Sequence, residues 1–229
     1  MRRRLFRRVA ATGAMIGGVS GIVANLALLG FFALSRPWQS AASPWALLGP
    51  ANDVIGAVST AALIPMVGYL VRVLPRSRLL TVFGAASIVG MAGLTAVAPL
   101  MLSGVVSLTV QFVVAGVAMP AMFGWLLVVN RAGRRAGVFP AKLATFGERV
   151  GAAALVATGI AGAALLVPAG SVAQNALFGI AGVAGLPAYL AFPVWPILLA
   201  RKVLADPGPG TPSTTTTTTY DPAPRHPAR

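Results

Sequence analysis

Chemistry needs side chains that ionise, ligate or attack, and this sequence offers few of them. Cysteine is absent, which removes disulfides, thiolate metal sites and a thiol nucleophile. The single histidine is His226, in a polar stretch near the end of the chain, and the acids are Asp53, Glu148, Asp206 and Asp221. Acid-base pairs, His-carboxylate metal sets and Ser/His/Asp constellations need two or three such groups together, so no catalytic residue, metal site or cofactor is assigned. No Gly-rich nucleotide loop of the Walker type occurs either.

What remains is a small set of polar residues inside apolar stretches. Asn25, Asp53 and Gln111 each interrupt a long hydrophobic run. Such placements are informative because a carboxylate at the centre of a bilayer costs roughly 2.5 to 3.5 kcal/mol even on a lenient insertion scale. With the runs laid across a membrane, all three fall in its outer third, near Arg36, Asn52, Gln174 and Asn175. A helical bundle would let them line one small polar pocket in which Asp53 holds a proton or cation. The plainer alternative puts Asp53 in the first turn of its helix, where Asn52 or Asp53 caps the free N–H groups and the carboxylate meets the positive end of the helix dipole. Arg36 is then an ion-pair candidate across the loop. Glu148 stands beside Arg149 and near Lys142, Arg134 and Arg135, which suits an ion pair at the membrane surface.

The elements that must hold these residues follow from composition. With 57% hydrophobic and 10% charged residues and a mean hydropathy of +0.82, the chain falls far outside the soluble range of about 25% charged residues. Crossing a hydrocarbon core takes about 20 apolar residues in a helix that satisfies its own backbone. Six such runs are expected, at about 9–34, 51–71, 79–101, 105–130, 143–167 and 176–200. The fold class is therefore an all-α integral membrane bundle of six transmembrane helices over residues 1–204. Residues 205–229, rich in Pro and with six consecutive threonines at 214–219, are expected to form a disordered cytoplasmic tail.

Helices in lipid associate where small residues let backbones approach. Gly13, Gly17 and Gly21 make one such stripe at steps of four, and Gly147 and Gly151, continued by Ala154, Thr158 and Gly162, make another. Both are packing seams, toward each other or toward a second subunit of a homo-oligomer. Each even-numbered run carries proline (Pro65, Pro120, and Pro187, Pro193 and Pro196), and the last three predict that the last part of the sixth helix is broken or bent.

Orientation follows from the basic residues. Arg2, Arg3, Arg4, Arg7 and Arg8 precede a stretch of 26 uncharged residues, 9–34. Its length favours an uncleaved anchor over a signal peptide, whose apolar core runs about 7 to 15 residues. If the N-terminus is cytoplasmic, 17 of the 18 Lys and Arg residues fall on the inner side and only Arg36 on the outer. This positive-inside pattern predicts both termini inside and a multi-pass protein of the bacterial inner membrane. The net charge of +14 then comes from clusters between spans, so the expected partners are the bilayer and anionic lipid heads at the basic loops, and not nucleic acid.

Two stretches carry a resemblance. Phe139-Pro140-Ala141-Lys142-Leu143-Ala144 leads into a Gly-rich span, and Ala191-Phe192-Pro193-Val194-Trp195-Pro196 leads to Arg201-Lys202. Residues 139–204 thus resemble a loosely defined group of small bacterial multi-span membrane proteins without an assigned activity. The resemblance implies an integral membrane protein and no residue roles. The expected function is a non-catalytic assembly, sensing or envelope-associated subunit. The alternative is a small oligomeric transporter or channel-like protein with Asn25, Asp53 and Gln111 along its path.

Overall fold

The computed structural model describes residues 2–35 and 43–204. Arg36 and the 205–229 tail, with His226, lie outside the described residues. The described chain is helical, with no strand among these residues, and six of its helical segments are long and apolar enough to cross a membrane. They are built from α1 (Arg2–Gly30), α2 (Leu48–Val73), α3 (Arg78–Leu102), α4 (Leu108–Arg135), α5 (Ala141–Ala164), α6 (Val172–Ala191) and α7 (Val194–Leu199). The sixth segment, Val172–Leu204, contains both α6 and α7 and ends in a π-helical turn over Ala200–Leu204.

Serine sets several boundaries that hydropathy alone misplaces. Ser77, Ser107 and Ser171 precede α3, α4 and α6, and each side-chain oxygen accepts from the backbone N–H three residues on. The fourth helix therefore starts at Leu108 rather than near 105, leaving Val105 and Val106 in the link. The sixth starts at Val172 rather than near 176. At the far end of α4 the helix runs past the apolar stretch to Arg135, carrying its arginines on a full extra turn. It stops at Gly137, whose φ of 67° lies in the left-handed region that favours glycine, while Val138 N–H returns to Gly133 O at 2.9 Å.

Consecutive helices pack as antiparallel hairpins, and the pairing is legible in which residues meet. Gly13 lies against the Ala62 carbonyl, and Gly17 against Leu63 and the Ser59 carbonyl. Gly90 faces Ala118 across α3 and α4, and Gly185 faces Ala157 across α5 and α6. The helices close into a ring because α7 packs against α1, while α6 leans on α5. The two small-residue seams do not meet each other. Gly13, Gly17 and Gly21 join α1 to α2 and to Pro193, whereas Gly147 and Gly151 join α5 to α4 and to Trp195.

All described Lys and Arg lie toward one end of the bundle, where α1, α3 and α5 begin and α2, α4 and the sixth segment finish. At this basic end Arg7 Nε donates to the Leu204 carbonyl at 3.0 Å, and the Arg72 guanidinium lies 5.1 Å from the centroid of the Phe6 ring. The basic start of the chain is thereby tied to both neighbours of α1. The described links at the opposite, neutral end carry no charge.

Candidate functional site

The break in the sixth segment follows from proline chemistry. Pro193 has no N–H, so the helix cannot satisfy the carbonyl four residues earlier, that of Tyr189. Asn25 Nδ2 on α1 donates to that carbonyl, at 3.4 Å. Pro196 likewise deprives Phe192 O of its usual donor, and Trp195 N–H, three residues on, takes it at 3.1 Å. The sequence expectation of a broken sixth helix is met as a short interruption at Phe192 and Pro193.

Asp53 sits elsewhere in its helix than a cap requires. A 3-10 turn over Pro44–Leu47 runs straight into α2, whose N-cap is Leu47, so Asp53 falls in the second turn and Asn52 does not cap. Freed from the helix end, Asp53 points across to α4: Gln111 Nε2 donates to Asp53 Oδ1 at 3.3 Å, and Asn52 Nδ2 donates to the same oxygen at 3.3 Å. Gln111 Oε1 is buried and has no hydrogen-bond partner among the described residues.

Directly along the same faces of α2 and α4, toward the basic end, lies a cavity of about 60 Å³. Gly56 and Thr60 follow Asp53 at helical spacing, and Met119 follows Gln111 by eight residues, which places them beneath the Asp53–Gln111 pair. Asn25, Ser59 and Tyr189 complete its polar lining. The space has room for roughly two to four water molecules. Around it, hydroxyls serve backbone carbonyls: Ser59 Oγ donates to Gly17 O at 2.7 Å, and Thr95 Oγ1 donates to Met91 O at 2.8 Å while lying 3.0 Å from Thr60 Oγ1. Thus the structure joins Asp53 to Gln111, and it places Asn25 deeper, on the cavity wall, with its amide nitrogen committed to the sixth segment.

The floor of the cavity is aromatic. Phe123 and Phe192 meet edge to face with centroids 5.6 Å apart. Beneath them Trp195 packs edge to face on Trp125 at 6.0 Å and on Phe139 at 6.3 Å. Trp195 Nε1 donates to Asn130 Oδ1 at 3.0 Å, and Asn130 Nδ2 donates back to Leu126 O at 2.8 Å. Asn130 and Leu126 are fully buried, as is Trp195. This layer separates the cavity from the basic end. Gly147 makes it possible, since any Cβ there would press on Asn130 and come within 2.6 Å of Trp195 Nε1.

Asn130 does not stand out in the sequence, and Trp195 does so only within the 191–196 resemblance stretch, without a role. Asn130 closed the fourth apolar run beside Arg131, which disguised it as a surface residue, and only the extra turn of α4 brings it inside. Tyr189 carried a usable signal in Pro193 four residues later, which announces a carbonyl in need of a donor.

Glu148 pairs with Arg134, whose Nη2 lies 3.2 Å from Glu148 Oε1 at an angle that leaves the contact ionic rather than an aligned hydrogen bond. Arg149 points to an exposed position. The Arg134 side chain is 48% exposed, so water screens the pair. Glu148→Gln is expected to change the unfolding free energy by less than about 1 kcal/mol, measured by denaturant titration in detergent.

A second, larger hollow of about 550 Å³ opens between α4, α5 and α6, with Phe112, Met119, Thr158, Phe178 and Leu186 on its walls. It is almost wholly apolar and shares Met119, Phe123 and Tyr189 with the polar cavity.

No protein-family model, no curated protein and no solved structure matches the chain.

Proposed function

We propose that the chain is a multi-pass protein of the bacterial inner membrane with both termini in the cytoplasm. In this reading it binds a small cationic or amine-bearing solute from the outer side, as a sensing or assembly subunit without covalent catalysis. The clustering of 17 of 18 basic residues at the ends assigned to the cytoplasm supports the orientation. One observation carries the binding. Asp53 and the buried, partnerless Gln111 Oε1 are acceptors one turn above the polar hollow, which neither of them lines, with no described Lys or Arg at that end. A carboxylate has about four lone-pair sites, so two amide donors leave acceptor capacity for a ligand that brings N–H groups or a positive charge.

Transport is a second reading, favoured by the position of the sixth segment's interruption. Phe192 belongs both to that break and to the aromatic floor, so a shift of α7 against α6 would open the cavity toward the cytoplasm.

Single cysteines in this Cys-free chain provide the test. Asp53→Cys and Gln111→Cys are expected to react with a membrane-impermeant maleimide added outside intact cells, Asn25→Cys more slowly, and Leu126→Cys not at all. Silence at both Asp53→Cys and Gln111→Cys would end the binding proposal, and reaction only from the cytoplasmic side would reverse the orientation. Labelling of Phe192→Cys that depends on an added solute would favour transport over sensing.

A further inference from the structure

We propose that the basic end holds a dedicated site for the phosphate of an anionic phospholipid, formed by Arg76, Arg131 and Arg135. These three arginines line a cavity of about 450 Å³ where the link between α2 and α3 meets the end of α4. The size falls within the range of pockets that hold small organic groups, about 300 to 1,000 Å³.

Three other basic residues at this end of the bundle are already engaged. Arg134 pairs with Glu148, Arg7 binds the Leu204 carbonyl, and Arg72 lies over Phe6. No carboxylate lines the cavity, and the other described acid, Asp53, is at the far end of the bundle. Arg131 and Arg135 are one turn apart on one face of α4, a like-charge pairing that is unfavourable until an anion enters between them. Arg76 faces them from the link.

Backbone geometry adds to the charge. The cavity wall includes Ser77 and Leu79 at the start of α3. Ser77 Oγ takes the N–H of Leu80, and the N–H groups of Arg78 and Leu79 have no acceptor within the helix, so the positive end of the α3 dipole adjoins the arginines. Guanidinium forks match the tetrahedral oxygens of a phosphate better than ammonium groups do.

The remaining wall selects a lipid over a soluble phosphate. Leu79 and Val128 line the same cavity and lead from the arginines toward the apolar belt of α3 and α4, with Leu79 62% exposed. A phosphodiester seated on the arginines would lay its acyl chain along these two side chains. The site is separate from the polar cavity and does not rest on it.

The test uses the purified full chain in non-ionic detergent, titrated with phosphatidylglycerol, phosphatidylcholine or inorganic phosphate and read by native mass spectrometry. Phosphatidylglycerol is expected to bind, and the triple variant R76Q/R131Q/R135Q to hold it about tenfold or more weakly. The charge-matched control R149Q/R201Q/K202Q is expected to change binding by less than about twofold, since scattered surface charges are screened. Circular dichroism establishes that both triples keep the helical content. Equal losses in the two triples would mean diffuse attraction and overturn the site. Equal binding of phosphatidylcholine would show that headgroup charge is not read, and displacement of phosphatidylglycerol by millimolar phosphate would make the ligand a soluble anion.

Discussion

Replacing Gly147 by alanine is expected to destabilise the folded chain by about 1 to 3 kcal/mol, although alanine is the better helix former by about 1 kcal/mol. The added methyl would overlap Asn130 Nδ2 and approach Trp195 Nε1 at 2.6 Å, so α4, α5 and α7 must separate or the Asn130–Trp195 hydrogen bond must break. Overpacking of this kind costs about 1 to 3 kcal/mol, and a buried donor left unpaired costs about 1 to 3 more. Gly159 on the same helix is the internal control. No heavy atom lies within 4 Å of a Cβ built there, so Gly159→Ala should be neutral or stabilising by up to about 1 kcal/mol. Unfolding curves in mixed detergent compare the two, and equal stability of both variants would remove Gly147 from any role in packing.

A still larger loss is expected for Trp195→Ala, about 3 to 5 kcal/mol, because the indole is fully buried and its removal leaves a void under the cavity floor. The substitution deletes the edge contacts with Trp125 and Phe139 and leaves Asn130 Oδ1 without its donor. Trp195→Phe separates these effects, since it keeps a ring and loses the N–H, and should cost about 1 to 3 kcal/mol. A double-mutant cycle with Asn130→Ala should show coupling of about 0.5 to 3 kcal/mol. Perfect additivity would mean that the hydrogen bond contributes nothing. With Trp195 gone, the barrier beneath the cavity is also thinner, so Leu126→Cys should become reactive to the outside reagent in the Trp195→Ala background. If it stays silent in a folded protein, the floor lies elsewhere.

Both predictions fall on residues that a linear reading treats as ordinary. The Gly147 stripe is visible in the sequence, but its partner is not. Spacing of four says that one face of the helix is small, and nothing in that spacing names α4 as the surface it receives. Asn130 is a sharper example. Its neighbour Arg131 makes it look like the wet end of a span, whereas the helix continues to Arg135 and buries it completely. Asp53 shows the opposite error of boundary. An apolar run beginning near 51 places it in a first turn, and the preceding Pro44–Leu47 turn moves the helix start to Leu48, which turns a capping carboxylate into one that crosses to Gln111.

What the sequence by itself determined is the number of apolar helices, the hairpin order imposed by short links, the concentration of basic residues at one end, and the weakness of the sixth helix at its prolines. These are local properties: hydropathy over about 20 residues, charge counts and a missing N–H act wherever the chain folds. Only the tertiary structure decided which small faces meet, that Asn25 serves the Tyr189 carbonyl, that Asp53 finds Gln111, and that Trp195 and Asn130 close the floor beneath them. Those pairings join residues from 58 to 164 positions apart. They depend on rotation and depth of each helix against its neighbours, to which a shift of one residue adds about 100° and 1.5 Å.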